Sequence, residues 1–219
     1  MTHVKICGLR TVEHALAAAD AGATMLGFVF APSRRQVTPE AAAAMVQAVR
    51  AARHIPHVEC IGLFVNEQPA HIINVVAQCG LDAVQLSGDE PSSIMDALPP
   101  NLPILKAVRL QGAPEEQRWL EVNHPHVRLL LDAHVPGSYG GTGTIADWER
   151  AAVLARQRPL VLAGGLTPEN VAAAVRQVHP WGVDVSSGVE TDGVKDCAKI
   201  SAFIAAARAG TELVEVNTQ

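Results

Sequence analysis

The chain alternates between short apolar segments of β-strand length and segments with helical patterning, and it does so eight times. Threonine followed by proline or an acidic residue marks the start of several helices, and glycine marks the ends of others. Eight such units within 219 residues predict a single-domain (β/α)8 TIM barrel, an α/β fold of parallel strands inside a ring of helices. The predicted strands are residues 3–7, 25–30, 60–65, 83–87, 103–108 and 127–132, and residues 159–165 and 182–188 contain the seventh and eighth strands with the residues that follow them.

A doubly wound open sheet is the alternative architecture, because periodicity alone does not distinguish it from a closed barrel. The first strand is not followed by G-x-G-x-x-G, the dinucleotide-binding pattern of many open sheets, and this favours the barrel. We assign residues 1–210 to the barrel. We expect its last helix to end near Arg208 and residues 211–219 to form a polar C-terminal tail.

Composition excludes several classes of partner. A formal charge of −5 and a pI near 6.0 argue against nucleic acid or an anionic membrane. No apolar run approaches the roughly 18 residues of a membrane span, and the first residues lack the order of a signal peptide. We therefore expect a cytoplasmic protein. No C-x-x-C spacing occurs, so neither a metal site nor a disulfide framework is predicted for Cys7, Cys60, Cys79 and Cys197.

The first strand carries a candidate reactive atom. Side chains alternate along a strand, so Lys5 and Cys7 share one face, and Cys7 ends the strand just before Gly8. Glycine leaves the sulfur open to close approach because it has no Cβ. The alternative is that Cys7 is a small buried apolar residue, as cysteines of intracellular proteins commonly are.

Polar residues recur at corresponding positions of several strands. If Cys7 points into the barrel, the same alternation of side chains directs residues of five strands towards one interior: Lys5 with Cys7, Gln85 with Ser87, Lys106 with Val108, Leu130 with Asp132, and Asp184 with Ser186. Buried charges need partners, so two lysines facing two aspartates would form a balanced set at the barrel mouth. The alternative for each charge is a helix cap or a solvated loop position.

Two adjacent strands end in segments suited to phosphate. Gly164 and Gly165 follow the seventh strand, and Ser186, Ser187 and Gly188 follow the eighth. In barrels of this type the loops after these strands often bind phosphate through backbone N–H groups. Either loop alone is equally compatible with a tight turn.

The chain resembles the phosphoribosylanthranilate isomerase family of tryptophan biosynthesis from residue 4 to about residue 209. The motifs that carry the resemblance are V-K-I-C-G at 4–8, G-F-V-F at 27–30, S-R-R at 33–35, F-V-N at 64–66, V-Q-L-S-G-D-E at 84–90, K-A-V-R at 106–109, L-L-L-D at 129–132, G-G-T-G at 140–143, A-G-G-L-T-P-E-N-V at 163–171 and V-D-V-S-S-G-V-E at 183–190. One departure is Ser87, where the family usually has histidine.

The resemblance implies an isomerase that carries out an Amadori rearrangement without a cofactor. Cys7 would be the general base, Asp132 the general acid, and Arg35 the partner of the anthranilate carboxylate, although Arg34 is adjacent. Lys5 or Arg35 is expected to lower the pKa of Cys7. We place Asp184 with the substrate-binding residues and the phosphate at the two loops named above. The expected partner is a small phosphosugar-anthranilate substrate, bound by a monomer or a homodimer.

Two other functions remain open from the sequence. A related aminoaldose-phosphate isomerase of histidine biosynthesis performs the same rearrangement, but that family has an aspartate where Cys7 stands. A non-catalytic phosphosugar-binding barrel would be expected to have lost Cys7 or Asp132, and both are present.

Overall fold

The computed structural model describes the backbone of residues 1–132 and 145–216 and the side chains of residues 1–132 and 148–211. The predicted motif at 140–143 lies outside the described residues. Eight parallel strands form a closed barrel in which each strand pairs with the next and the eighth pairs with the first, which confirms the predicted fold. The strands are β1 (His3–Cys7), β2 (Met25–Val29), β3 (Glu59–Phe64), β4 (Ala83–Leu86), β5 (Ile104–Val108), β6 (Val127–Asp132), β7 (Leu160–Ala163) and β8 (Gly182–Val185).

Helices surround the barrel, and local sequence signals fix where two of them begin. Thr11 Oγ1 accepts the backbone N–H of His14, and Thr38 Oγ1 accepts that of Ala41, so each threonine caps its helix. In the described part of the chain the α-helices are α1 (Val12–Asp20), α2 (Pro39–Ala51), α3 (Pro69–Cys79), α4 (Pro114–Glu121), α5 (Ile145–Ala155), α6 (Val171–Val178) and α7 (Cys197–Val216). Among the residues described, none of these helices is long and apolar enough to cross a membrane.

The sequence of residues 90–98, between β4 and β5, predicts a short helix. The segment forms a 3-10 helix, Ser92–Ala97. Pro91 precedes this helix, and Leu98, which comes before Pro99, is extended with φ −101° and ψ 158°. A residue before proline avoids helical backbone, so the two prolines leave room for little more than one turn.

The segment after β8 differs from the prediction, which placed only the last helix there. A small antiparallel hairpin of β9 (Glu190–Thr191) and β10 (Val194–Lys195) precedes α7. Helix α7 then continues to Val216, beyond the predicted end near Arg208, so residues 211–216 of the predicted tail are helical. Tertiary contacts carry the helix on, because Gly210 packs against the backbone of α6 and Thr211 Oγ1 lies 2.8 Å from Thr2 Oγ1.

Apolar side chains form a large layer between the barrel and its helices and smaller clusters inside the barrel. The inner clusters share Trp181, which precedes β8 at the amino end of the barrel. The Trp181 ring stacks on His3 with centroids 4.0 Å apart, and the Arg128 guanidinium lies 4.3 Å from its centroid. These three side chains fill the amino end, so the polar residues of the interior lie towards the opposite end.

Candidate active site

A cavity of about 820 Å³ opens at the carboxyl ends of the barrel strands. Active sites of TIM barrels lie at this end. Every site residue predicted from the sequence lines the cavity: Cys7, Arg35, Asp132, Gly164, Gly165, Asp184, Ser186, Ser187 and Gly188. The fold thus brings these residues to one cavity from loops and strands that are far apart in the chain.

Lys5 and Asp184 form an ion pair inside the barrel. They are register partners on β1 and β8, and Lys5 Nζ lies 2.9 Å from Asp184 Oδ1. Burial of Lys5 by itself lowers its pKa, but the charges of Asp184 and Cys7 outweigh this effect, and the pKa is raised overall. Of the four charges expected to balance one another, Lys5 and Asp184 form a pair, and the barrel interior keeps a charged lysine.

Cys7 ends β1 beside this ion pair and is only 4% exposed. Burial raises the pKa of the Cys7 thiol above its ordinary value; Lys5 opposes this increase, and the Asp184 carboxylate adds to it. The expectation of a lowered pKa was wrong for this cavity. The cause is that the cost of burying a thiolate exceeds the benefit of the nearby ammonium groups of Lys5, which also pairs with Asp184, and Lys195.

Gly27 of β2 provides the space in which the sulfur and the ammonium approach each other. A Cβ added to Gly27 would lie 2.9 Å from Cys7 Sγ and 3.0 Å from Lys5 Nζ, closer than carbon packs against either atom. A side chain at this position would displace one of the two groups. Gly27 is therefore needed for the shape of the site, although its backbone has an ordinary strand conformation.

Asp132 ends β6 and lines the same cavity, where it is half-buried. The lysine expected near it lies elsewhere, and this prediction was wrong. Lys106 lies on the helix-facing side of β5, with Nζ 2.7 Å from Glu90 Oε2 and 2.6 Å from the carbonyl oxygen of Gly88. Its neighbours Leu105 and Ala107 face the barrel interior instead, so the predicted balanced set of two lysines and two aspartates does not form.

Arg35 reaches the cavity from the loop after β2, and Glu190 holds it there. Arg35 Nε lies 2.6 Å from Glu190 Oε1, and Nη2 lies 2.9 Å from Oε2. Burial of the Glu190 carboxylate opposes ionisation, but hydrogen bonds from Arg35 and Lys195 outweigh it and lower the pKa of Glu190 to about 2. Arg34 also bonds Glu190, but its side chain is 60% exposed and it does not line the cavity.

The loops after β7 and β8 form the remaining side of the cavity. Gly164 and Gly165 both have positive φ, and Asn170 Nδ2 donates to the Gly165 carbonyl oxygen at 3.0 Å, which holds the loop. After Ser186, a short 3-10 turn, Ser187–Val189, follows β8. Two neighbouring loops built from small residues can present backbone N–H groups to an anion. In the described ranges, no three His, Cys, Asp or Glu side chains are arranged to hold a metal ion.

The cavity thus brings together a thiol, a carboxyl group, a guanidinium and two glycine- and serine-rich loops. This combination can be compared with known families. The model of the family described as N-(5'phosphoribosyl)anthranilate (PRA) isomerase matches residues 4–206. The chain belongs to this family. The match spans β1 to α7.

Individual members of the PRA isomerase family are similar over nearly the whole chain. The N-(5'-phosphoribosyl)anthranilate isomerase of Roseiflexus sp. (strain RS-1) is 58% identical over 214 residues, 97% of this chain and 100% of the relative. The crystal structure of the phosphoribosyl anthranilate isomerase from Thermotoga maritima is 38% identical with a TM-score of 0.83, covering 95% of this chain and 99% of the other. A second family structure holds reduced 1-(o-carboxyphenylamino)-1-deoxyribulose 5-phosphate; it is 37% identical, its TM-score is 0.79, and the coverage is the same 95% and 99%.

Ser87, at which the chain departs from the usual pattern of PRA isomerases, lies at the cavity wall. Gln85 Nε2 donates to Ser87 Oγ at 3.0 Å, and among the described residues Gln85 Oε1 has no hydrogen-bond partner. The Ser87 hydroxyl group therefore restrains the Gln85 amide at the cavity wall.

The sequence analysis did not identify Gly27, Glu190 and Lys195 as residues beside the site, or Glu90 as the partner of Lys106. Glu90 and Glu190 are part of the quoted family motifs, but nothing in their local sequence identifies their partners. The Asp192–Gly193 pair is a strong signal for a two-residue hairpin turn, and its positive φ angles fit that turn. That signal places Glu190 opposite Lys195 across the hairpin, as the structure does.

Proposed function

We infer that this chain isomerises N-(5′-phosphoribosyl)anthranilate to 1-(2-carboxyphenylamino)-1-deoxyribulose 5-phosphate in tryptophan biosynthesis. The observation that carries the inference is that Cys7, Asp132, Arg35 and both phosphate loops line one cavity. Family membership supplies the substrate, and the solved relative that holds a reduced form of this product supports a phosphosugar ligand here. The chemistry requires no cofactor.

In the proposed mechanism Asp132 is the general acid. It gives its proton to the ribose ring oxygen as the C1–O bond breaks, while the amine nitrogen contributes its lone pair to form a C1=N iminium. The ring opens to a Schiff base, and Asp132 remains as a carboxylate. Its position at the end of β6, half-buried in the cavity wall, supports this role because an acid must reach the bound sugar.

Cys7 is the general base of the second step. As a thiolate it removes the C2 proton, which the adjacent iminium acidifies. The enolamine that forms tautomerises to the ketone as C1 gains a proton and the C2 hydroxyl group loses one. A raised thiol pKa makes the thiolate a stronger base but reduces its population near neutral pH. Lys5 opposes that increase and so keeps more thiolate available than burial alone would.

The two ends of the substrate would be held by different loops. The phosphate binds at Gly164, Gly165, Ser186, Ser187 and Gly188, and Asp184, beside Lys5, contacts the sugar between them. Arg35 binds the anthranilate carboxylate, and its 20% exposed side chain in the cavity wall supports it over Arg34. Guanidinium and carboxylate form strong, directional hydrogen bonds, which suits a substrate that must be oriented as well as bound.

Replacing Arg35 by alanine is expected to raise KM by about tenfold or more with a smaller change in kcat, because a charge-assisted hydrogen bond contributes roughly 1.5–3 kcal/mol to binding. Steady-state kinetics measure both constants. Arg34→Ala is the matched comparison, since its side chain is largely exposed and lies outside the cavity wall. An unchanged KM in Arg35→Ala together with a raised KM in Arg34→Ala would transfer the role to Arg34.

Turnover of freshly prepared N-(5′-phosphoribosyl)anthranilate, followed by fluorescence, tests the function itself. We expect product to form with the protein alone, without added metal or cofactor. Binding of the substrate without turnover would instead support a non-catalytic phosphosugar-binding barrel. Turnover of the aminoaldose phosphate of histidine biosynthesis in its place would identify the related isomerase.

We also propose that the protein acts in the cytoplasm as a monomer or a homodimer. Membership of a biosynthetic enzyme family supports the location. Light scattering during size-exclusion chromatography distinguishes the two assembly states.

A further inference from the structure

Glu190 binds four cationic side chains beside the active site, three through its carboxylate and one through its backbone oxygen. We use the term Glu190 cluster for Glu190, Arg34, Arg35 and Lys195. The Glu190 carboxylate is 5% exposed and accepts bonds from all three cations, and Lys199 Nζ donates to its backbone oxygen at 2.9 Å. Glu190 itself does not line the cavity, whereas Arg35 does. Any effect of Glu190 on a bound substrate must therefore pass through another residue.

Glu190 restrains the Arg35 guanidinium at two points. Nε and Nη2 bind the two carboxylate oxygens at 2.6 and 2.9 Å, the two-point geometry that fixes a guanidinium plane. The stem of Arg35 is restrained as well, since its Cδ occupies the space beside Gly8 where a Cβ would otherwise lie. Among the described residues Nη1 has no hydrogen-bond partner, so one nitrogen of this fixed group is available to a ligand.

The same carboxylate reaches the phosphate loop and β1. Lys195 Nζ donates to Glu190 Oε1 at 2.9 Å and to the Ser186 carbonyl oxygen at 2.8 Å. Ser186 Oγ in turn donates to the Cys7 carbonyl oxygen at 3.2 Å. Lys195 is itself buried, so these bonds lie largely out of water, where they are more rigid than surface bonds. The cluster thus connects Arg35 to the segment proposed to bind phosphate and to the strand that carries the thiol.

We propose that Glu190 is a positioning residue that fixes Arg35 for a substrate bearing a carboxylate on its aromatic amine. This deepens the proposed function and rests on it. The alternative is competition, in which Glu190 occupies Arg35 and the substrate carboxylate must displace it. The geometry favours positioning for two reasons. Glu190 accepts hydrogen bonds from Arg35 Nε and Nη2, so Nη1 stays available to the substrate carboxylate. Arg34 and Lys195 also bind Glu190 and hold it in place when Arg35 binds a ligand.

The test is a double-mutant cycle of Glu190→Gln and Arg35→Ala in the full chain. Glutamine has the size of glutamate, but its amide nitrogen faces arginine donors and cannot accept from them. We expect Glu190→Gln to raise KM about tenfold with kcat changed by less than about threefold, and the double variant to match Arg35→Ala within about twofold. A lowered KM would establish competition, and KM penalties that multiply across the cycle would establish a merely structural role; either result overturns the proposal.

Glu190→Asp covers the case in which Glu190→Gln does not fold, because aspartate keeps the charge but its shorter stem cannot maintain the two-point contact. A smaller rise in KM is expected, and an unchanged KM would overturn the proposal. Asp82→Asn is the matched control: Asp82 pairs with Arg50 at 2.8 Å before β4, at the amino end of the barrel, and its loss should leave KM unchanged. Wild-type protein that fails to turn over the substrate refutes the proposed function, whereas normal wild-type turnover with unaltered Glu190→Gln kinetics refutes this inference alone.

Discussion

Replacing Cys7 by alanine is expected to lower kcat by about 10²–10⁴-fold, the usual contribution of a general base. The reason is that Cys7 is the thiol in the cavity wall, at the end of β1 beside Lys5, and alanine removes the proton acceptor while keeping the strand. Steady-state turnover of the substrate measures the effect. KM should change much less than kcat, because the groups proposed to hold the phosphate and the carboxylate lie on other loops.

Cys197→Ala is the matched control for Cys7, since Cys197 begins α7 and does not line the cavity. Its kcat should equal that of the unaltered protein. Near-normal turnover in Cys7→Ala would show that the C2 proton is removed by another group, and the assignment of the base would then be wrong even if the protein proved to be the isomerase.

Replacing Asp132 by asparagine is expected to lower kcat by a similar factor, about 10²–10⁴-fold. Asparagine preserves the size and polarity of the side chain but has no acidic proton to give to the ring oxygen, so ring opening should become rate-limiting. A single-turnover experiment with enzyme in excess measures this step directly. Substrate binding, followed separately, should remain close to that of the unaltered protein.

Asp20→Asn is the control for Asp132, because Asp20 ends α1 on the surface, where it pairs with the exposed His54. If Asp132→Asn lost affinity but kept its single-turnover rate, Asp132 would be a binding residue and the general acid would lie elsewhere. Loss of rate in both variants would point to a general effect on the protein and not to acid catalysis.

The sequence predicted the barrel and the positions of the site residues because both depend on local patterns. An apolar segment of strand length is visible in the sequence, and the end of a parallel strand in a barrel marks the active-site edge. Alternation then placed Lys5 and Cys7 on one face, as found. The error at Lys106 has a definite cause: β5 is apolar on both faces, so its lysine was taken to mark the interior, whereas Glu90 makes a helix-facing lysine possible.

The sequence could not predict features that depend on distant partners or on the balance of opposing effects. Arg35 and Glu190 are separated by more than a hundred residues, and only the closed barrel brings them together. The sign of the Cys7 pKa shift depends on whether burial or Lys5 has the larger effect. A sequence shows neither how deeply the thiol is buried nor how far it lies from the Lys5 ammonium. The helix end near Arg208 was misjudged because packing against α6 overrode a weak local signal.

The stacked Trp181 ring has a consequence for the route by which substrate enters and product leaves. In the described part of the chain this ring packs against His3 and Arg128 at the amino end of the barrel, where a cavity of only about 10 Å³ remains, whereas the cavity at the carboxyl end measures about 820 Å³. A newly made ketose must therefore leave by the same route that the next aminoaldose takes to enter. Product and substrate cannot occupy this opening at the same time, so the rate of product release sets an upper limit on kcat.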